Sequence, residues 1–108
     1  MPSLTIYFTE ERMPLEAHLA ALTERSARLC SELLGAAQDK VHIHYVAVRH
    51  GRGHLACAEL TYRLQPERTP AIMDEFTLQL DHAIQHHAGL RARIRCFGYP
   101  ATSLHARN

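Results

Sequence analysis

The hydrophobic period of this chain changes from two to that of a helix and back again, and it does so twice within 108 residues. Leu4, Ile6 and Phe8 alternate with Ser3, Thr5 and Tyr7, the pattern of a strand with one apolar face. Met13-Pro14-Leu15-Glu16 opens a helix with Pro14 suited to its first position. Leu15, Leu19, Leu22, Leu29, Leu33 and Leu34 continue it at helical spacing, broken by Ser26, and Gly35 suits its C-terminal cap. Val41, Ile43, Tyr45 and Ala47 then alternate with His42, His44, Val46 and Val48. After the polar connection His50-Gly51-Arg52-Gly53-His54 the sequence of patterns starts again. Leu55 to Leu64 reads as a strand, and Thr69-Pro70 as a cap followed by a first-turn proline. Ile72, Met73, Phe76, Leu80, Ala83 and Ile84 form a helical stripe that closes at His86, His87 and Gly89. Ala92, Ile94 and Cys96 alternate with Arg91, Arg93 and Arg95 in a fourth strand. Gly98 to Asn108 reads as a turn and a tail with room for a short strand.

This is β-α-β twice: one α+β domain over residues 1–108, with repeats at about 2–50 and 54–98 and a short C-terminal tail. The His50–His54 connection is too short for a flexible interdomain linker. Each helix has a single apolar stripe, so both are expected on one face of a four-stranded sheet. The other face would carry Thr5, Tyr7, His42, His44, Arg93 and Arg95 beside Val46, Val48 and Phe97. That mixture is too apolar at one end to be left wet and too polar for an ordinary core. A subunit interface with polar groups facing a shared channel would satisfy it. Two arrangements share the element order: a pair of parallel βαβ units side by side, and the ferredoxin-like split βαβ with an antiparallel sheet.

Composition narrows the function. Twelve Lys+Arg against eleven Asp+Glu give a net charge of +1, which argues against a protein that grips phosphate backbone. The third strand lacks the aromatic signature of an RNA-recognition motif, so no nucleic-acid partner is expected. No apolar run is long enough to span a bilayer, and no signal-peptide core follows the start, so a cytoplasmic protein without a membrane partner is expected. Cys30, Cys57 and Cys96 are odd in number and lack CxxC spacing, so they read as small buried hydrophobes.

The amino terminus is the sharpest chemical feature. The chain begins Met1-Pro2, and Met is removed before a small second residue, which would leave Pro2 with a free secondary amine. A free α-amino group titrates near 7.7–8.0, roughly, and burial or neighbouring cations lower that value. A neutral amine near pH 7 serves as a general base or a nucleophile. Pro2 runs straight into the first strand, which would fix its nitrogen in place, and Arg12 follows ten residues later.

At these residues the chain resembles the tautomerase superfamily, the group of 4-oxalocrotonate tautomerase, 5-carboxymethyl-2-hydroxymuconate isomerase and macrophage migration inhibitory factor. Pro2 matches the family's catalytic proline, and Arg12 matches a substrate-binding arginine at the same separation. Lys40-Val41-His42-Ile43-His44-Tyr45, followed by Gly51 and Gly53, looks like the family's second strand and glycine-bearing hairpin. A second family arginine would fall at His42 in the first half and near Arg93 in the second. The aromatic that usually follows the hairpin is absent from Gly53 to Leu55. The resemblance implies a homotrimer with active sites at subunit edges and no metal or organic cofactor. It implies an isomerase in which Pro2 moves a proton within a small unsaturated keto or enol acid while cations hold the carboxylate. The site it implies is Pro2 with Arg12 and the positions of His42 and Arg93; by side-chain chemistry Tyr45 joins them as a donor towards an enolate, as Tyr99 could also be. The rival is a non-catalytic trimeric binding or assembly protein on the same scaffold, favoured by the missing arginine and aromatic.

The remaining polar residues have plainer readings. His42 and His44 share a strand face with His50 and His54 nearby, which suits an interface or substrate contact better than a metal, since no carboxylate or thiolate stands at ligand spacing. His86 and His87 suit a helix C-terminus, where the dipole favours a cation. Glu59 is expected to pair with an arginine across the sheet or an interface.

Overall fold

The computed structural model describes residues 1–108. β1 spans Ser3–Thr9, α1 Glu16–Leu34, β2 His42–Val48, β3 Ala56–Arg63, α2 Pro70–Ala88 and β4 Ala92–Tyr99. Single turns of 3-10 helix lie at Glu10–Arg12, Gln38–Lys40 and Ala101–Ser103. No helix is long and apolar enough to cross a membrane.

The sheet order is β2-β1-β3-β4. β1 pairs parallel with β2, β3 pairs parallel with β4, and the two units meet where β1 pairs antiparallel with β3. The parallel pairs exclude the ferredoxin-like arrangement, whose sheet is antiparallel throughout. What forms is two βαβ units related by an approximate two-fold through the β1–β3 seam.

The two-residue period decides which face is covered. Leu4, Ile6 and Phe8 of β1 and Ala56, Ala58 and Leu60 of β3 are sealed beneath the helices. Leu22, Leu29, Cys30 and Leu34 of α1 and Phe76, Leu80, Ala83 and Ile84 of α2 complete this core. The helices lie side by side, and Arg25 on α1 donates from Nη2 to Gln79 Oε1 on α2 at 3.2 Å. The opposite face has no layer over it. Across it run the register rows His42–Ser3–Thr61–Phe97, His44–Thr5–Glu59–Arg95 and Val46–Tyr7–Cys57–Arg93.

The caps follow the sequence closely for α2. Thr69 Oγ1 accepts from the Ile72 N–H at 3.2 Å, and Pro70 is the first helical residue. Gly35 and Gly89 both end their helices in the left-handed region, at φ 66°. α1 differs from expectation at its start. It begins at Glu16 with Leu15 as an N-cap that has no side-chain bond, so Pro14 precedes the helix and Leu15 is exposed rather than part of the stripe. Ser26 does not interrupt the helix, because it falls on the buried stripe between Leu22 and Leu29. In the tail, Ala101–Ser103 forms a helical turn where a short strand had room to form.

Candidate functional site

Pro2 is fully buried at the start of β1, and its carbonyl accepts from the His42 N–H at 3.1 Å, one step beyond the β1–β2 ladder. Continuing the β1–β3 register past Ser3↔Thr61 sets Pro2 opposite Tyr62 and Met1 opposite Arg63. The amine of Met1, the residue before Pro2, titrates below its ordinary value of 8.0, first because of burial and then because of the charges of Arg68, Arg63 and Lys40. Three cations therefore act on the Met1 amine, each from a different place. Lys40 closes the 3-10 turn before β2, Arg63 ends β3, and Arg68 lies in the loop that follows.

Arg68 is only 7% exposed. Its Nε donates to the Leu34 carbonyl at 2.9 Å and its Nη1 to the Arg63 carbonyl at 2.8 Å. Leu34 is the last residue of α1, so the guanidinium sits at the negative end of that helix dipole. Arg63 differs, because its Nε is buried with no hydrogen-bond partner. Arg63 stands beside Tyr99 in the β3–β4 register, and the exposed apolar side chains of Leu64 and Phe97 flank it. Gly98 makes this end close-packed. A Cβ there would lie 2.6 Å from Leu64 Cδ2 and 3.0 Å from the Tyr62 ring.

Of the residues expected at the site, one chain brings together Pro2 and His42, which is exposed at the same end of β2. Arg12 lies past the far end of β1, about 20 Å along the strand from Pro2 at the usual rise per residue. Arg93, paired with Cys57 near the start of β4, also belongs to that far end. With His54, Thr77, Asp81, Arg91 and Arg95 it lines a groove of about 380 Å³. Tyr45 faces the helices instead of the site. Its hydroxyl shares a 2.8 Å hydrogen bond with Thr23 Oγ1 and reaches the Leu19 carbonyl at 3.4 Å. Burial raises its pKa, as suits a packing tyrosine with a bonded hydroxyl.

The residues that sequence reasoning missed are Lys40, Arg63 and Arg68. The repeat itself held the signal. The loop after β3 is the second unit's counterpart of the loop carrying Arg12, and the antiparallel seam brings it to the opposite end of the sheet, beside Pro2.

The other polar residues form no competing centre. His50 Nε2 is bonded to the Gly53 carbonyl at 3.0 Å, and no three His, Cys, Asp or Glu side chains are grouped to hold a metal ion. Glu59 is unpaired within the chain. Its register neighbour Arg95 donates to the Ile94 carbonyl at 2.8 Å instead. The cysteines are free, and burial pushes the thiols of Cys30 and Cys96 up to about 11.

Comparison with known proteins adds fold relatives of low sequence identity. No protein-family model matches the chain, and no curated protein matches it in sequence. Solved structures do match along nearly the whole length. Macrophage migration inhibitory factor of Toxoplasma gondii is 15% identical, with a TM-score of 0.78 over 98% of this chain and 96% of that one. A fused 4-OT (R7), solved as an asymmetric trimer, is 17% identical, with a TM-score of 0.78 over 96% of this chain and 91% of its own. Pt0534, solved after inactivation by 2-oxo-3-pentynoate, is 16% identical, with a TM-score of 0.77 over 98% and 92%. The chain thus shares the fold of these structures, built from two βαβ units.

Proposed function

We propose that this chain is a cytoplasmic, homotrimeric tautomerase that moves a proton within a small unsaturated keto or enol acid. After Met1 is removed, the Pro2 nitrogen is the base. It takes a proton from the hydroxyl or α-carbon of the substrate and returns it to another carbon, which shifts the double bond. Arg63 is the nearest candidate for the substrate carboxylate, since its buried Nε has no partner in the chain. His42 lies at the same end and offers a further donor. Arg12 and Arg93 reach a proline only from a neighbouring subunit, and the uncovered sheet face is the surface through which subunits would meet. Tyr45 has no part in this scheme, because its hydroxyl is taken up against α1.

The observation that carries this reading is a buried Pro2 fixed at the start of β1 by the His42 N–H, at the end of the sheet where the buried Nε of Arg63 has no partner; the Met1 amine beside it is held below its ordinary pKa by burial and by Arg68, Arg63 and Lys40. A base that is neutral near pH 7 beside cations that bind a carboxylate is what this proton transfer requires. The rival, a non-catalytic assembly protein, is favoured by His42 where the small tautomerases keep an arginine, and by the absence of an aromatic from Gly53 to Leu55. One assay separates the two. Ketonisation of phenylenolpyruvate and of 2-hydroxymuconate is followed with the native terminus, with Met1 retained, and with Pro2→Ala. The tautomerase reading expects turnover only with the native terminus. No turnover above background in any form would leave the assembly reading, and equal rates above background in all three would take the role of base away from Pro2.

A further inference from the structure

We propose that the groove between α2 and the outer edge of β4 is a second ligand site, built for a small phosphate monoester that carries a hydroxyl group. The groove holds about 380 Å³, room for a small molecule, and Arg91, Arg93 and Arg95 line it together with Asp81 of α2. β4 is the last strand of the sheet, so no strand of this chain pairs with its outer edge. The three arginines alternate along its first turns of sequence and stand about 7 Å apart at the usual rise per residue.

Two halves of an unfinished hydrogen-bond network meet at this space. One half is the arginines. The chain's one salt bridge joins Arg49 to Glu10, so none of the three meets a carboxylate. Arg95 alone uses its guanidinium within the chain, donating from Nη1 to the Ile94 carbonyl at 2.8 Å. The other half is Asp81, whose Oδ1 is buried and accepts no hydrogen bond. Thr77, one turn earlier on the same helix face, does not supply the donor, because its hydroxyl donates to the Asp74 carbonyl at 2.9 Å. A buried acceptor without a donor is costly, and a ligand that brings one removes the cost.

The charges set the class of that ligand. Three guanidinium groups against one carboxylate leave the groove at +2 with His54 neutral. A phosphate monoester carries about −1.5 to −2 near pH 7 and offers three acceptor oxygens, which suit more than one guanidinium fork. A single carboxylate has two oxygens and fills one fork. A hydroxyl on the same molecule donates to Asp81 Oδ1, and Leu78 and Ile94 give its carbon chain apolar contact. The site stands apart from the tautomerase reading: it needs no amine, and that reading makes no use of Arg91 or Asp81.

The test is isothermal titration calorimetry on the form that retains Met1, so that its outcome does not depend on whether Pro2 acts as a base. The probes are glycerol 3-phosphate and methyl phosphate, which share the phosphate monoester and differ in the hydroxyl groups. Glycerol 3-phosphate is expected to bind about tenfold more tightly, the worth of a hydrogen bond to a charged oxygen. Arg91→Gln should weaken both probes about tenfold, through loss of one charge-assisted fork. Asp81→Ala should bind methyl phosphate more tightly, because a repelling charge is gone, and should erase the preference for glycerol 3-phosphate. No binding of glycerol 3-phosphate to wild type, or equal affinity for the two probes, would overturn the proposal without recourse to a variant. So would affinity unchanged in Arg91→Gln, a preference that survives Asp81→Ala, or malonate binding more tightly than glycerol 3-phosphate.

Discussion

The two ends of the sheet carry complementary halves of one chemistry. The end where β1 begins has the terminal amine, Lys40, Arg63 and the buried Arg68. The end where β1 finishes has Arg12, Arg93 and the groove with Arg91 and Arg95, and no amine. The two-fold relating the βαβ units makes these ends equivalent in backbone, with Ala56 as the register counterpart of Pro2. On the proposed reading they differ because removal of Met1 frees an amine at the start of only one strand of the central pair. A repeat can copy strands, helices and cations, but it cannot copy a free amine.

That asymmetry orders the expected effects. The largest falls on Pro2. Pro2→Ala should lower kcat by about 10²-fold or more, the usual worth of a positioned base, while its counterpart Ala56→Ser should leave kcat within a few-fold. Next come the cations. Arg63→Gln should raise KM about tenfold, in line with the loss of one charge-assisted hydrogen bond to a substrate carboxylate. Arg12→Gln should do the same only through assembly. At substrate levels below KM, chains bearing Arg12→Gln mixed and reassembled with Pro2→Ala chains should exceed the summed activity of the two unmixed, because one supplies the proline end and the other the far end. No recovery on mixing would confine the site to a single chain and remove Arg12 from it.

Stability gives a smaller contrast between the same two ends. The N-terminus of α2, at the proline end, is capped by Thr69, whereas that of α1, at the far end, has Leu15 and no side-chain cap. Thr69→Ala should cost about 1 kcal/mol in chemical denaturation, and Leu15→Asp should stabilise by up to about 1 kcal/mol. The smallest effect is on pH dependence at the far end of the helices. Burial, with the charges of His86, His18 and Arg25, holds the imidazole of His87 below its ordinary value of 6.5. The unfolded chain therefore takes up a proton before the folded one does. The stability from a neutral His87 is whole above pH 6.5 and is lost as pH falls through the lower folded value. His87→Gln should flatten the fall in thermal midpoint between pH 7 and pH 5 by a measurable but small amount.

How much of this was legible in the sequence depends on what each feature needs. The strands and helices were, because alternation and helical spacing are local and the core enforces them. Leu4, Ile6 and Phe8 are sealed just as their period implies. Gly35, Gly89, Thr69 and Pro70 were legible for the same reason. The start of α1 was not, since Leu15 continues a leucine spacing into a residue that the fold leaves exposed. That Pro2 is held at the start of β1 was legible through its place in the chain. Its neighbours were not, because they come from the end of β3 and from the turn before β2. Only the antiparallel seam and the β1–β2 pairing bring them there. Tyr45 shows the limit of the same alternation. Its position inward of His44 was visible, and the helix-side place that follows uses its hydroxyl on Thr23 and Leu19.

The central claim is that a free, neutral amine at Pro2 is the reactive group. It is tested most directly by treating native-terminus protein with 2-oxo-3-pentynoate at pH 7 and mapping the adduct by peptide mass spectrometry. The account predicts a single adduct on the Pro2 nitrogen, formed with loss of activity and absent when Met1 is retained. Inactivation with Pro2 unmodified, or equal labelling of the Met1 form at the same rate, would contradict it.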